Sequence, residues 1–429
     1  MKMIKLPKMV KDIIKKLRDK GYDAYAVGPC VRDSLAGRKP IDWDIATNAR
    51  LDVLKEVFED ARVLSEKYSV IRLHDYDSED DIIVDVSTFR KKEPGDGGFT
   101  FSNDIRGDLN RKDFTVNSMA DSGFEFIDDF GGRNDVQAKL IRTIGNADEL
   151  FKAEPVRMLK ALRITADLGF DLSQEVYEAI KANHGLINQL SPDKVRKDFL
   201  AIIGGEHAGK ALNMIVDMGL LPDILGEEAG NNLSHREKTD MVTICENIDK
   251  TKPVPERRMG VLISILSEKK AMSVIDRLDF QGDLRQNLID VAKDLPSFHF
   301  AQQPQTYKKF IYEHAPMERS DYLLNLQKAL LIVFDYSIDT KIKSKMYLLK
   351  EFEKNGDPIF VEDLAIDAND LMEAGILDDP EACDKMLHML IERLHVEPKK
   401  NTRAELFKLA KTYKKNKLKA YLRGVTWMR

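Results

Sequence analysis

The hydrophobic pattern changes character about a third of the way along the chain. Up to about residue 130, short stretches rich in β-branched and aromatic residues recur between turn residues: DAYAVG, PIDWDIAT, ARVLSEKYSVIRLHD, DIIVDVSTF and FEFIDDF. Runs of this length and composition predict strands. Helical segments are interleaved with them, among them CVRDSLAG, ended by Gly37. Beyond GGRNDVQAKLIRTIG, apolar residues recur at three and four almost to the end, which is the helical period. In LFKAEPVRMLKALRITADLGF the pattern closes on Gly169 and tolerates Pro155 only in a first turn, so a helix is expected from near Ala153. In LSPDKVRKDFLAIIGG, Ser191 is the expected N-cap, Pro192 the first helical residue, and the glycines at 204 and 205 the stop. The expected fold class is α+β, a small mixed-sheet head followed by an all-helical remainder. Segment 91–104, KKEPGDGGFTFSND, is rich in glycine and charge and is expected to be a loop.

The strand PIDWDIAT carries the first candidate chemistry. Its period of two puts Ile41, Trp43 and Ile45 on one face and Asp42 and Asp44 on the other. Two carboxylates about 7 Å apart on one face repel unless a cation or a basic partner lies between them. A divalent metal answers that repulsion, although surface turns and acidic patches also produce D-x-D. The pair follows the turn at Gly28, where a strand hands over to a helix and backbone N–H groups form an anion site. Asp85, in an alternating strand that could run beside the first, adds a third carboxylate. Such a set suits two Mg²⁺ ions that activate a ribose hydroxyl and neutralise a leaving pyrophosphate.

GDLNRKDFTVNSMA supplies Asp108, Arg111, Lys112, Asp113 and Asn117. If DFTVNSMA opens a helix, Asp113 and Asn117 share a face at i and i+4. The basic groups suit phosphates and the Asp–Asn pair suits a ribose, whereas a capped helix with surface charges is the ordinary alternative. Glu154 and Arg157 stand at i and i+3, where an acid and a guanidinium held side by side can read a base edge. The same spacing also gives a plain intrahelical salt bridge, worth about 0.3–0.5 kcal/mol.

A chain of 429 residues, 43% hydrophobic, has room for two to four domains. It has no run of eighteen apolar residues, and its lysine-rich amphipathic start, MKMIKLPKMVKDIIKKLRDK, lacks a signal-peptide core. A cytoplasmic protein with no membrane contact is expected. Cys30, Cys245 and Cys383 lie too far apart for a zinc knuckle and are too few for a disulfide framework, so buried free thiols are expected. The eight histidines are scattered. Net charge is −5, which argues against a uniformly basic coat, yet 399–429 holds eleven Lys or Arg against one acid, Glu405. Tyr413, Tyr421 and Trp427 are interleaved there. Lys408, Lys411, Lys414, Lys415, Lys417, Lys419 and Arg423 are thus candidates for RNA phosphate contacts, with the rings for stacking. The competing reading is the solvated face of a terminal helix.

The order GPCVRDSLAGRKPIDWDIATN, IIVDVSTFR, DLNRKDFTVNSMA, EPVRMLKALR, LSPDKVRKDF resembles the head and neck of class II tRNA nucleotidyltransferases and bacterial poly(A) polymerases. The match covers roughly the first half of the chain, with a weaker echo in DLAIDANDLMEAGI and KKNTRAELFKLA. The resemblance implies a nucleotidyltransferase-type head over 1–130 and a helical neck with a base-reading helix over 131–205. It further implies a helical body over 206–340 and a helical tail over 341–429 that contacts tRNA. It makes Asp42 and Asp44 the metal ligands, with Asp85 as a further catalytic carboxylate. Gly28, Arg32 and Asp33 become the triphosphate turn; Arg111, Asp113 and Asn117, with Asp108 beside them, the ribose-recognising motif; and Glu154 with Arg157 the amino-acid template.

The activity implied is Mg²⁺-dependent addition or repair of the 3′-terminal CCA of tRNA from CTP and ATP, with pyrophosphate release. Poly(A) synthesis, addition of only C or only A, and an RNA-binding derivative without catalysis are the alternatives. Four departures stand against the family pattern. Pro29 replaces a second glycine and removes an N–H donor; Ala153-Glu154 replaces Glu-Asp; Lys112 replaces an arginine; and Asp193-Lys194 replaces Glu-Arg. Ser267-Glu268 stands where some members carry His-Asp metal ligands, and no His-Asp pair occurs in 206–340, so no second metal site is expected.

Overall fold

Val10, Ile13, Ile14 and Leu17 line one side of helix α1 (Lys8–Asp19), the amphipathic start of the chain. Strand β1 (Ala24–Val27) follows and stops at Gly28, whose φ of 77° and ψ of −141° belong to a region that only glycine occupies cheaply. The turn feeds α2 (Pro29–Leu35), with Pro29 in the first turn, where its missing N–H costs nothing to the helix. This computed structural model describes residues 4–40, 42–74, 82–93, 98–300, 303–313, 317–334 and 340–422. The chain divides into two units, Met1–Asn231 and Asn232–Arg429.

The first unit is built on a mixed sheet. β2 (Asp42–Thr47) pairs antiparallel with β1, and the chain then passes through α3 (Leu51–Val57), β3 (Arg62–Ser65) and β4 (Val70–His74) to β5 (Ile83–Thr88). β5 runs parallel to β2 with Asp85 opposite Asp44, the adjacency expected for DIIVDVSTF. In β2, Trp43 and Ile45 are buried while Asp42 and Asp44 are exposed; Val84 and Val86 of β5 are fully buried. Alternation thus decides the faces.

Beyond β5, residues Arg90–Lys92 (β6) and Phe99–Phe101 (β7) pair antiparallel, so the segment expected to be a loop contains a two-stranded hairpin. Phe99 and Phe101, which follow its glycines, favour the extended form on the β7 side; 94–97 lie outside the described residues. α4 (Ile105–Asn110) is capped by Asp104, whose side chain accepts from the Arg106 N–H. β8 (Ala120–Asp121) and β9 (Phe126–Ile127) complete the order β3-β4-β5-β2-β1-β8-β9. DFTVNSMA forms a single 3-10 turn, Thr115–Asn117, rather than an α-helix. Two β-branched residues, and an Asp113 side chain that bonds the next N–H, favour that local geometry.

Helices α5 (Gly132–Ala138), α6 (Ala147–Ala153), α7 (Val156–Leu168), α8 (Gln174–Asn183), α9 (Pro192–Ile203) and α10 (Ala208–Asp217) follow. The helix expected from near Ala153 starts instead at Val156. Pro155 excludes Glu154 from the helical region, so α6 ends there and Glu154 adopts φ −142°. Gly169, at φ 70°, closes α7, and Ser191, Pro192 and Gly204 bound α9 as expected. Met158, Leu159, Leu162 and Ala166 of α7 pack with Val195, Phe199 and Ile202 of α9, leaving Arg157, Lys160 and Arg163 on another face.

The second unit is helical throughout its described residues. Leu371, Cys383, Leu390, Ile391, Leu394 and Leu406 form one of its cores, and Cys30 and Cys383 are buried free thiols, whereas Cys245 is half-buried. Ser234 opens the helix His235–Asn247 with a capping box, and Glu237 accepts from Ser234 N–H, Ser267 N–H and Lys270 Nζ. Burial alone would raise the Glu237 pKa, but these donors outweigh it and hold it at about 2. A depressed carboxylate stabilises the fold above its unfolded pKa and ceases to do so as pH falls through the folded value. Urea midpoints should therefore decline from about pH 4.5 toward pH 2, with a contribution on the order of 2–3 kcal/mol lost, and Glu237→Gln should flatten that decline. A midpoint whose pH dependence is the same in both proteins would refute the assignment.

Among the described residues, no helix is long and apolar enough to cross a membrane.

Candidate functional site

Asp44, Asp85 and Arg72 stand in one row across β2, β5 and β4, each in register with its neighbour. Parallel and antiparallel partners in register lie about 5 Å apart on one face. Arg72 grips Asp85 with two hydrogen bonds of 2.7 and 2.8 Å, so the third carboxylate already has a cation. Asp42 and Asp44 make no hydrogen bond to Arg72 and feel it only through space. Asp44 opens to solvent but sits among crowded protein atoms, and the resulting desolvation pushes its pKa up. Lys112 opposes the rise, while Asp85 and Asp42 add to it. The face therefore carries surplus negative charge.

Those carboxylates fit a hard divalent cation in donor type and charge. Among the described residues no three His, Cys, Asp or Glu side chains converge to hold a metal alone. An open pair of carboxylates is the donor set that Mg²⁺ shares with substrate phosphates. The Gly28 turn abuts the pair: a Cβ at Gly28 would lie 3.8 Å from Asp44 Oδ2. That distance is ordinary contact, so Gly28→Ala should act through backbone strain, at about 1–3 kcal/mol. A lowered urea midpoint would register it; an unchanged one would contradict the strain argument.

The other motifs meet at Arg32, which is 6% exposed. Its Nε donates to Asp33 and its Nη1 to Asn117 Oδ1 at 2.8 Å, while Asn117 Nδ2 reaches Asp113 Oδ1 at 3.3 Å. Lys160 Nζ stands 3.8 Å from Asp113 Oδ2. One polar chain thus joins α2, the 3-10 turn and α7. A cleft of about 550 Å³ opens beside it, lined by Pro29, Arg32, Asp113, Asn117, Lys160 and Arg163 among others. Lys160 and Arg163 were not singled out from the sequence; their places three and six residues beyond Arg157 on one helix were the available signal.

Asp108 is 2% exposed and turned inward, accepting from Arg111 Nε at 3.1 Å. Glu154 and Arg157 form an ion pair of 2.7 Å across the α6–α7 break, and neither lines the cleft. Arg157 Nε is buried and has no hydrogen-bond partner. In the second unit, Lys408, Lys411 and Lys415 border an open concavity with Phe407 on the helix Arg403–Leu422. Lys414 donates to the Ile376 carbonyl at 2.6 Å, so its ammonium is committed within the fold. The side chains of Lys417, Lys419 and Tyr421, and residues Arg423 and Trp427, lie outside the described residues.

Residues 24–142 match the poly A polymerase head domain, and 169–229 match the probable RNA and SrmB-binding site of polymerase A. The chain thus carries segments similar to the head domain and the RNA-binding segment of this family. It is 29% identical, over 75% of its length and 76% of the relative's, to a CCA-adding enzyme of Staphylococcus aureus strain Mu3. It is 35% identical to the CCA-adding enzyme of Geobacillus stearothermophilus, over 50% of this chain and 55% of that one. The fold is similar to that of the Bacillus stearothermophilus CCA-adding enzyme in complex with CTP, with a TM-score of 0.77 at 24% identity over 95% and 98% of the two chains. A Thermotoga maritima CCA-adding enzyme complexed with tRNA gives 0.62 at 17% identity, over 96% and 99%. The mixed sheet with its appended helices is the architecture of this family.

Proposed function

We propose that this protein builds or repairs the 3′-terminal CCA of tRNA from CTP and ATP. The observation that carries the reading is the meeting, on one sheet, of a glycine turn against Asp44 and an Arg32–Asn117–Asp113 chain beside it. A triphosphate, its metal ions and a ribose need those three features side by side. The names of the relatives, CCA-adding enzymes in each case given above, support the choice of substrate.

In this reading Asp42 and Asp44 hold two Mg²⁺ ions, and Asp85 with Arg72 braces the carboxylate row. When bound there, the ions would supply charge neutralisation and a lowered pKa for the attacking hydroxyl. The acceptor's 3′-hydroxyl attacks the α-phosphorus in line, and pyrophosphate leaves. Gly28 allows the turn to approach the phosphates. Arg32, Arg111, Lys112, Lys160 and Arg163 supply positive charge, with Asp33 and Asp108 orienting two of these cations, and Asp113 with Asn117 recognises the ribose. Glu154 and Arg157 read the base edge. Lys408, Lys411 and Lys415, with Lys417, Lys419 and Arg423 beyond them, contact RNA phosphates, and Lys414 contributes through the helix end it holds.

The test is incorporation of labelled CTP and ATP, separately and together with Mg²⁺, into tRNA transcripts ending at the discriminator base, at C and at CC. Two C and one A support the reading. Repeated A on arbitrary RNA would replace it with poly(A) synthesis, and binding without incorporation would replace it with an RNA-binding role.

A further inference from the structure

Asp108 is the one carboxylate of the ribose motif that is withdrawn from the cleft, and its partners come from two directions. Oδ1 accepts the Arg90 backbone N–H at 3.1 Å and Arg111 Nε at 3.1 Å, while Oδ2 stands 3.8 Å from Lys112 Nζ. Arg90 opens β6, which continues β5 past Phe89, whose N–H donates to Thr47 O. The same carboxylate therefore holds the hairpin strand and the two cations on the C-terminal end of α4. The contact is close packed: a Cβ on Gly107 would come within 3.2 Å of Lys91 Cβ. The Arg90 guanidinium lies 5.3 Å from the Tyr68 ring and 5.5 Å from that of Phe99, so the strand is also gripped by its side chain.

We propose that Asp108 is a positioning residue that ties the β6–β7 hairpin to Arg111 and Lys112, and so sets where these two cations stand. Charge-assisted bonds from a buried carboxylate have strict geometry, so a shift of the hairpin at Arg90 moves the acceptor that Arg111 depends on. Asp108 does not touch the substrate; it acts through its neighbours. The proposal rests on the nucleotidyl-transfer reading above, in which Arg111 and Lys112 face the phosphates.

The test uses the full chain and steady-state CTP incorporation. Asp108→Asn should raise KM for CTP about tenfold with kcat changed much less. In an Arg111→Gln background the same change should add less than about twofold, because the two residues act as one unit. Arg90→Leu keeps the backbone N–H but releases the rings, and should raise KM severalfold although it is remote from the substrate; it also stands in if Asp108→Asn fails to fold. Amide exchange at Arg90 should quicken about tenfold in Asp108→Asn. Wild-type KM in both single variants, or fully additive effects, would overturn the coupling while leaving nucleotidyl transfer intact. A wild-type chain that incorporates neither nucleotide would overturn the underlying reading, and an unchanged Arg90 exchange rate would then overturn the tie itself.

Discussion

Asp44→Asn and Asp42→Asn are each expected to lower nucleotide incorporation about a thousandfold, equivalent to about 4 kcal/mol of transition-state stabilisation, with the fold retained. No described salt bridge ties up either carboxylate, whereas Asp85 is bonded to Arg72, so the proposed ion is expected to depend on Asp42 and Asp44. Asn preserves shape and hydrogen bonding but not the charge that holds a hard cation. Asp85→Asn is the informative contrast. Its carboxylate is occupied by Arg72, so its loss should weaken incorporation by only about tenfold, with the thermal midpoint little changed because the pair is exposed to solvent. Measuring kcat and midpoint for the three variants separates the roles. If Asp85→Asn proved the most damaging to kcat and Asp44→Asn the least, the assignment of the ion to Asp42 and Asp44 would be wrong.

Arg157→Ala should have the next largest effect, about a hundredfold loss in kcat/KM for both CTP and ATP, since one base-edge recognition contact is worth about 1–3 kcal/mol. The ordinary reading of Glu154 and Arg157, an ion pair that helps join two helices, makes a different prediction. Glu154 is half exposed, and a pair of that kind contributes about 0.3–0.5 kcal/mol, which would scarcely move the midpoint and would leave incorporation alone. Glu154→Gln should shift the ratio of C to A addition rather than abolish both, since the amide replaces one acceptor oxygen by a donor. Unchanged kcat/KM and unchanged ratio in both variants would return the pair to a structural role.

Local signals located the site's parts but not their assembly. The alternation in PIDWDIAT put Asp42 and Asp44 on the open face, and Gly28 marked the turn, because period and positive φ are properties of a few adjacent residues. Pro155 is legible too, but it breaks the helix instead of opening it two residues earlier. The residue before a proline avoids the helical region, so two helices meet at Glu154 instead of one running through it. The hairpin at β6 and β7 was hidden by glycine and charge in its middle, which outweighed three-residue strands at either side.

The residue pattern alone marks the kind of protein: strand and helix periods, a sheet-bearing head, helices beyond it, and carboxylates and cations in an order that resembles one enzyme family. Only the tertiary structure decided which of these residues are partners. Arg32 and Asn117 are 85 residues apart and meet because α2 and the 3-10 turn are both carried on the sheet around β1 and β8. Arg72 neutralises Asp85 because β4 happens to be the next strand, and Asp108 faces inward because the Arg90 backbone N–H and the Arg111 guanidinium both donate to it. Local preference is set by each residue's own dihedral and side-chain chemistry. Pairing across the sheet depends on strand order and register, and the same residues in another strand order would have made different partners.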